Sequence, residues 1–432
     1  MNYKILILMS TNIIFGIGYS MLEILFPLEA NKKGTTESTT GIIFSSISIP
    51  NIILIPLVPF LSQKLGKKLL FTISIIILII SNFLFAFAPL FNNKLYFEIF
   101  SFFCRFSQGI GFAIAQTMIY SFAVSLSKKK EEINSYMGLM ELSWSIGQAL
   151  GPFYASFLYN FFNFKIPFFI LCIFTIISFI FYYKIDMKNS EDDISGFDFI
   201  KIIFGNLKIF LTAFSLIIAM ACYSFYEPIL ENYLMKKYNF STFLVSIYFD
   251  IAVVTFFLGI YLINPFLEKY GTKFQISIGL FLMSISLLII APIKIFPQNY
   301  IVTAIGFICL GFSEAPTIIS TMEDFLITLK ESEKFSEEYS TDLASAFFTF
   351  SVNIGCILGP IIGSYYTEKK SFYYSCIVLS IFCLFWFFVF GIGWFDFIVL
   401  DFKNRDNKNY HVVIEEKNEK LENIVIDSDL VG

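Results

Sequence analysis

The chain has 432 residues, of which 56% are hydrophobic and 15% are charged, and its formal net charge is −4. Its mean hydropathy of +0.73 excludes an ordinary soluble protein, because soluble domains carry about 25% charged residues. We therefore interpret it as a polytopic membrane protein. Its expected surroundings are the lipid bilayer, with no nucleic acid partner, no metal and no cofactor.

Twelve apolar segments are long enough to cross hydrocarbon as helices, which takes about 20 residues. They lie near 5–28, 40–62, 69–91, 96–124, 134–159, 165–184, 209–233, 243–263, 274–293, 299–323, 342–366 and 371–399. The first segment contains Glu23 and has no small-residue cleavage site, so we expect it to be retained. The predicted fold class is an all-α membrane protein with two pseudo-symmetric bundles of six helices.

The longest central polar stretch follows the sixth segment and divides the chain. The predicted regions are an N-terminal bundle (1–184), a central cytoplasmic loop (185–208), a C-terminal bundle (209–400) and a cytoplasmic tail (401–432). Fifteen lysines lie in the loops on the side of the termini and nine on the other side, which predicts cytoplasmic termini. All seven cysteines lie in predicted spans, which argues against a disulfide framework or a metal cluster.

A glycine and proline motif occurs twice, about 200 residues apart. Its members are Gly147, Gly151 and Pro152, and then Gly355, Gly359 and Pro360. Two glycines one turn apart let a neighbouring backbone approach closely, and the proline bends the helix. Two further short patterns also return: the one that begins at Gly111 recurs from Gly311, and the one that begins at Phe60 and contains Gly66 recurs from Phe266 with Gly271. These echoes predict an internal repeat.

Ionisable residues inside predicted spans are functional candidates, because a charge in hydrocarbon is costly without a cavity or a partner. Six acids and one base lie there: Glu23, Glu141, Glu227, Glu231, Asp250, Glu314 and Arg105. A cavity with this balance favours cations, protons included. For Glu231 and Asp250, a position in headgroup water near a span end is an equally open alternative.

We predict that Glu227 is the central carboxyl group for protons and substrate, because the ring of Pro228 disturbs the helix beside it. The other predicted binding residues are Glu23, Glu314, Glu231 and Glu141. Two carboxyl groups in one poorly hydrated site need not both be ionised, so a proton can be exchanged for a cationic substrate. For Arg105 the alternatives are a structural bond to Glu141 or to backbone carbonyls.

Several motifs resemble those of the major facilitator superfamily of secondary transporters. Leu61-x-x-Lys64-x-Gly66-Lys67-Lys68 is similar to its loop motif between helices two and three, with Gln63 in place of the usual aspartate. Its fourth-helix and fifth-helix motifs are matched by Arg105-x-x-Gln108-Gly109 and by Gly147-x-x-x-Gly151-Pro152. The resemblance implies structural or gating roles for Gly66, Lys67, Arg105, Gln108, Gly109 and the two glycine and proline motifs.

Further segments resemble the vesicular amine transporter family, and most closely its branch linked to polyamines. They are Phe26-Pro27-Leu-Glu29-Ala30 with Lys33-Gly34, and Glu227-Pro228-x-Leu230. The chain departs from the monoamine and acetylcholine carriers at Ile47, where those have a lysine, and at Thr349, where those have an aspartate. The departures argue against monoamine specificity and leave proton-coupled transport open.

The expected function is secondary active transport, as a proton-coupled antiporter of organic cations or amines that works by alternating access. A monomer is expected, in a vesicle, another acidic organelle or the plasma membrane. An enzyme is disfavoured because the only histidine, His411, lies in the tail, and no phosphate-binding loop motif exists for ATP-driven transport. Two alternatives stay open: a transporter-like sensor or scaffold without flux, and a carrier of a non-amine solute.

Overall fold

A computed structural model of the protein describes residues 3–55, 57–126, 130–183, 205–292, 297–331 and 337–392. The regular elements of this part of the chain are helices, so the predicted all-α fold class is confirmed. The predicted tail 401–432 and most of the predicted central loop 185–208 lie outside the described residues.

The first half of the chain contributes nine α-helices and one short 3₁₀ turn at Ala88–Leu90. The helices are α1 (Tyr3–Ser20), α2 (Leu22–Lys32), α3 (Glu37–Ser45), α4 (Ser48–Leu54), α5 (Val58–Leu65), α6 (Lys67–Phe85), α7 (Lys94–Leu126), α8 (Lys130–Phe161) and α9 (Lys165–Tyr183).

The second half follows the same plan. Its helices are α10 (Leu207–Ser224), α11 (Leu230–Tyr238), α12 (Thr242–Leu262), α13 (Asn264–Glu268), α14 (Thr272–Ile290), α15 (Tyr300–Glu331), α16 (Glu337–Lys369) and α17 (Phe372–Ile392). Within the described residues, nine helical stretches are long and apolar enough to cross a membrane. The other predicted spans fall on α3 to α5, α7 and α8, which is consistent with the twelve predicted segments.

The predicted repeat is visible in the backbone at two equivalent turns. Gly66 precedes α6 with φ +82°, and Gly271 precedes α14 with φ +90°. Side chains other than glycine rarely adopt this region of φ, so the turns require glycine. The weak sequence echo between these loops therefore reflects a shared backbone conformation.

The two glycine and proline motifs pack inside the bundles, each against the first helix of its own half. A Cβ atom on Gly147 of α8 would overlap the carbonyl oxygen of Ile13 in α1. On Gly359 of α16, it would overlap the Ser224 hydroxyl of α10. The motifs thus hold α8 against α1 and α16 against α10 by close backbone approach.

Contacts between the two halves run along two helix pairs, α3 with α16 and α8 with α12. Short helices α2 and α11 add a further contact at the face of the molecule where α2 ends and α3 begins, which we name the distal face. The helices of the two halves enclose a polar cavity between these contacts.

Candidate functional site

The cavity is lined by side chains from both halves of the chain. It encloses about 260 Å³ of space, counting its open mouth. Its lining consists of Glu23, Gln148, Pro152, Tyr223, Tyr226, Glu227, Phe249, Asp250 and Val253. Three carboxyl groups thus share one small space, and none of the described residues that line it is basic.

Two of the carboxyl groups follow equivalent breaks in transmembrane helices. Helix α1 ends at Ser20, and Glu23 follows three residues later. Helix α10 ends at Ser224, and Glu227 again follows three residues later. The helix restarts only at Leu230, after Pro228, whose ring and missing N–H disfavour a continuous helix. The break before Glu227 thus interrupts the helix over several residues, whereas Met21 keeps a helical backbone and its N–H still donates to the carbonyl oxygen of Ile17 at 3.0 Å.

Serine hydroxyls connect both breaks to the glycine-containing helices. The Oγ of Ser20 lies 2.8 Å from the carbonyl oxygen of Gln148 in α8. That of Ser224 lies 3.4 Å from the carbonyl oxygen of Gly355 in α16. The Ser20 hydroxyl thus donates mainly across to α8. The Ser224 Oγ lies closer to the carbonyl oxygen of Met220 in its own helix, at 2.8 Å, so its contact with α16 is the weaker one.

All three carboxyl groups of the cavity are buried, with exposed fractions of 8% for Glu23, 4% for Glu227 and 6% for Asp250. Within the described part of the chain, neither carboxyl oxygen of Asp250 has a hydrogen-bond partner. A buried charged group without partners is costly, so such a site binds either a proton or a cationic ligand.

Arg105 on α7 is a basic residue within electrostatic reach of two of these carboxyl groups, Glu227 and Glu23. Its Nη2 donates to the carbonyl oxygen of Tyr19 at 3.3 Å, and its Nη1 lies 3.2 Å from the Oε1 of Gln108. The guanidinium also lies 5.1 Å from the centre of the Tyr19 ring. Of the two predicted alternatives, the structure thus displays the bond to a backbone carbonyl.

Glu141, the other alternative for Arg105, lies elsewhere in the N-terminal half. Its Oε1 accepts a hydrogen bond of 2.8 Å from the hydroxyl of Tyr120, and its side chain is exposed. The structure does not place it among the residues that line the cavity.

The other fourth-helix motif residues hold α7 against its neighbours. Gln108 donates through Nε2 to the Oδ1 of Asn82 at 2.9 Å. Gly109 lies so close to α4 that a Cβ atom would be 2.6 Å from the Pro50 ring and would overlap the carbonyl oxygen of Ile47. Lys67, from the loop motif, is 7% exposed.

Two predicted binding residues, Glu314 and Glu231, are wholly buried but do not line the cavity. Glu314 on α15 is within electrostatic reach of Tyr223 and Tyr226, which do line the cavity. Glu231 on α11 is instead within reach of Glu37, toward the distal face. In the described residues, the carboxyl oxygens of both have no hydrogen-bond partner.

The sequence analysis did not include Asp250 or the aromatic wall among the site residues. Asp250 is the sole acid in the apolar helix Thr242–Leu262, which was the available signal. Tyr223, Tyr226 and Phe249 gave no comparable signal, since the chain contains 57 phenylalanines and 23 tyrosines.

Two helical halves around a buried, acidic cavity define the class of membrane carriers that bind a solute between two bundles. The family model described as "Major Facilitator Superfamily" matches residues 8–326, and the chain belongs to this superfamily. It is accordingly a multi-pass membrane transporter rather than an enzyme.

Similar proteins support this assignment over nearly the whole chain. The human MFS-type transporter SLC18B1 is 23% identical over 409 residues, which cover 93% of this chain and 87% of that protein. A vesicular acetylcholine transporter of Tetronarce californica is 21% identical and covers 80% of this chain and 65% of its own length. The structure of the nucleoside transporter NupG has the same fold, with a TM-score of 0.73, 16% identity and coverage of 90% and 98%.

Proposed function

We propose that this transporter is a proton-coupled antiporter of organic cations, that its substrates are amines of the polyamine type, and that it works by alternating access. The observation that carries the proposal is the cavity with three buried carboxyl groups and no basic residue among its described lining. The similarity to SLC18B1 and to vesicular acetylcholine transporters supports an amine as the solute.

The charge balance of the site favours a substrate with more than one positive charge. If Glu23, Glu227 and Asp250 are ionised and Arg105 offsets one of them, two negative charges are left. Two protons or two ammonium groups balance this charge equally well. A polyamine and protons therefore compete for the same carboxyl groups, which is the requirement for exchange.

The aromatic wall suits the hydrocarbon portion and the charge of such a substrate. Tyr223, Tyr226 and Phe249 line the cavity beside the carboxyl groups. Ring faces attract ammonium groups and also pack against methylene chains. Gln148 adds a polar group from the N-terminal half, so a bound amine contacts both bundles.

Contact with both bundles is also what alternating access requires, because the site must open to one side at a time. In an acidic vesicle, protons entering from the lumen displace the amine from the carboxyl groups. On the cytoplasmic side, where protons are scarcer, the amine binds again. We propose a vesicle or similar acidic organelle as the location, in line with the vesicular relatives.

The test is an uptake measurement with purified protein in liposomes. Spermidine, putrescine and tyramine are supplied outside vesicles with an acidic interior, with and without an ionophore that collapses the proton gradient. We expect gradient-dependent uptake of spermidine and putrescine, and loss of this uptake in Glu227→Gln. Glu98→Gln is the matched control. Glu98 does not line the cavity, and its carboxyl group pairs with Lys94 at a distance of 3.8 Å. Uptake that ignores the gradient, or no amine uptake at all, would contradict the proposal.

A further inference from the structure

The distal face is closed by a chain of polar contacts between the two bundles. Asn31 of α2 donates to the side-chain oxygen of Asn232 in α11. The Nδ2 of Asn232 in turn donates to the Oε1 of Glu37, the first residue of α3, at 3.0 Å. A second link runs from the backbone N–H of Ser38 to the carboxyl group of Glu368 in α16, at 2.9 Å.

An unpartnered acid is buried beside this chain of contacts. Glu231 precedes Asn232 and has an exposed fraction of 0%. In the part of the chain that the structure describes, neither of its carboxyl oxygens has a hydrogen-bond partner, and the buried Oε2 of Glu37 also has none. Glu231 lies within electrostatic reach of Glu37 on the opposite bundle and of Lys236 on its own helix.

The burial of Glu231 determines which ligand fits. Both of its oxygen atoms are out of contact with solvent, so an amine or a hydrated ion does not reach them in this conformation. A proton needs no such space. Glu37 is partly buried, and the two acids share one positive charge, that of Lys236, which acts on both. Ionisation of both acids therefore leaves a net negative charge where the bundles meet, and a proton on one of them removes it.

We infer that Glu37 and Glu231 form a proton-binding latch that closes the distal face. The latch is separate from the cavity, and it does not depend on which substrate the transporter carries. The latch assigns a function to Glu231, a buried acid that does not line the central cavity.

The charges around the latch leave these two acids as the groups that titrate together. Glu29 of α2 is paired with Lys32 at 3.1 Å, and Glu98 of α7 with Lys94 at 3.8 Å. Glu368 of α16 is exposed and bonded to Ser38, and its neighbour Lys369 is exposed too. The remaining described charged groups on the packed helices are Lys33, Lys236, Lys237, Arg105 and, in the cavity, Glu23 and Asp250.

Proton binding and closure are linked, with a definite sign. The closed face binds at least one proton between Glu37 and Glu231, whereas the open face exposes both acids to water and lets both ionise. Acid on the distal side therefore stabilises closure, and alkaline solution favours opening. Protons arriving from that side then return the carrier to the closed state.

The test measures the distance across the distal face rather than transport. Spin labels are attached at Asn92→Cys and Lys370→Cys, two exposed positions on opposite bundles. Cys309 and Cys356, the two native cysteines that are not fully buried, are replaced by alanine. In the labelled protein, we expect the ratio of short to long distances to fall about tenfold or more between pH 5.5 and pH 8.

In the double variant Glu37→Gln with Glu231→Gln, the short distance is expected to predominate at both pH values. Glu231→Gln alone, which disturbs packing less, is expected to lose most of the response. Glu227→Gln and Glu98→Gln are expected to keep it, which separates the latch from the proposed antiport. The inference is overturned if the labelled protein shows no pH response, or if the single and double glutamine variants respond as it does.

Discussion

The two halves of the transporter place a glutamate after the same helix break but surround it differently. Glu23 and Glu227 are 204 residues apart, as are Ser20 and Ser224. In the first half the break consists of Met21 alone, whereas in the second it covers residues 225–229. The N-terminal break also holds Arg105 through the carbonyl oxygen of Tyr19.

The difference between the halves shows that the repeated residues determine where the glutamates lie, whereas residues without a counterpart in the other half determine the net charge around them. The register that relates Gly111 to Gly311 relates Arg105 to Ile305. The register that relates the two glutamates relates Asp250 to Ser46. The first half therefore adds a positive charge and the second adds a negative one. We therefore expect a cation to be bound mainly on the side of the second half, where Asp250 accompanies Glu227.

The largest expected effect comes from neutralising the two equivalent glutamates one at a time. We expect Glu227→Gln to lower proton-driven amine uptake by roughly 100-fold, since loss of a buried charged partner costs about 2–5 kcal/mol. For Glu23→Gln we expect a smaller loss, about tenfold, because the two acids of the second half, Glu227 and Asp250, both remain in the cavity. Initial uptake rates in liposomes measure both. Equal losses, or a larger loss for Glu23→Gln, would contradict the assignment of charge to the second half.

The next effect tests whether the repeated packing matters equally in both halves. Gly151→Leu and Gly359→Leu are each expected to lower transport by about 30-fold, because overpacking costs roughly 1–3 kcal/mol. Protein is expected to remain in the membrane, as quantified by labelling of the folded fraction. Gly138→Leu on α8 is the control, since nothing lies within 4 Å of a Cβ atom there. Full transport by both leucine variants would make the motifs dispensable.

A third, selective effect sharpens the role of the acid that only the second half contributes. Asp250→Asn is expected to lower the uptake of spermidine by about tenfold and that of putrescine by less, because spermidine carries one positive charge more and the site then balances one positive charge fewer. Competition between the two amines, measured in the same vesicles, gives the ratio directly. A uniform loss for both substrates would assign Asp250 to folding or proton binding instead.

The smallest effect concerns the hydroxyls at the two breaks. We expect Ser20→Ala and Ser224→Ala to lower the free energy of unfolding by about 1 kcal/mol or less each. The loss is expected to be greater for Ser20, whose oxygen lies 2.8 Å from the neighbouring helix, than for Ser224, at 3.4 Å. Ser10→Ala is the control, because the Ser10 hydroxyl bonds within its own helix. Thermal unfolding in detergent measures the order.

The sequence predicted the fold well because hydropathy and segment length respond to the bilayer itself. It predicted the central role of Glu227 from Pro228, and the structure places that residue at a break and in the cavity. In a regular helix, Glu231 would share a face with Glu227, because residues four apart lie on the same side. The interruption at residues 225–229 removes that regularity, so Glu231 lies toward the distal face instead.

Asp250 and Glu314 show a second limit of sequence analysis. A hydropathy pattern gives the depth of a residue only approximately and does not give the direction of its side chain. From the sequence, a position of Asp250 in headgroup water therefore stayed an open alternative. The structure shows that Asp250 lines the cavity. Glu314 was predicted to bind protons or substrate, but it is wholly buried and does not line the cavity.

The glycine contacts have a mechanical consequence. Inside each bundle, α1 with α8 and α10 with α16 approach backbone to backbone at the glycines, where the side chains between them include the short Ser20 and Ser224. Across the distal face, the links include a few side-chain hydrogen bonds from Asn232 and Glu368. Each bundle is thus expected to move as a rigid body, whereas the contacts between the two bundles at the distal face can break and re-form. Amide hydrogen exchange is expected to be fast in α3 and α11 and slow in α1 and α10 when the carrier rocks open.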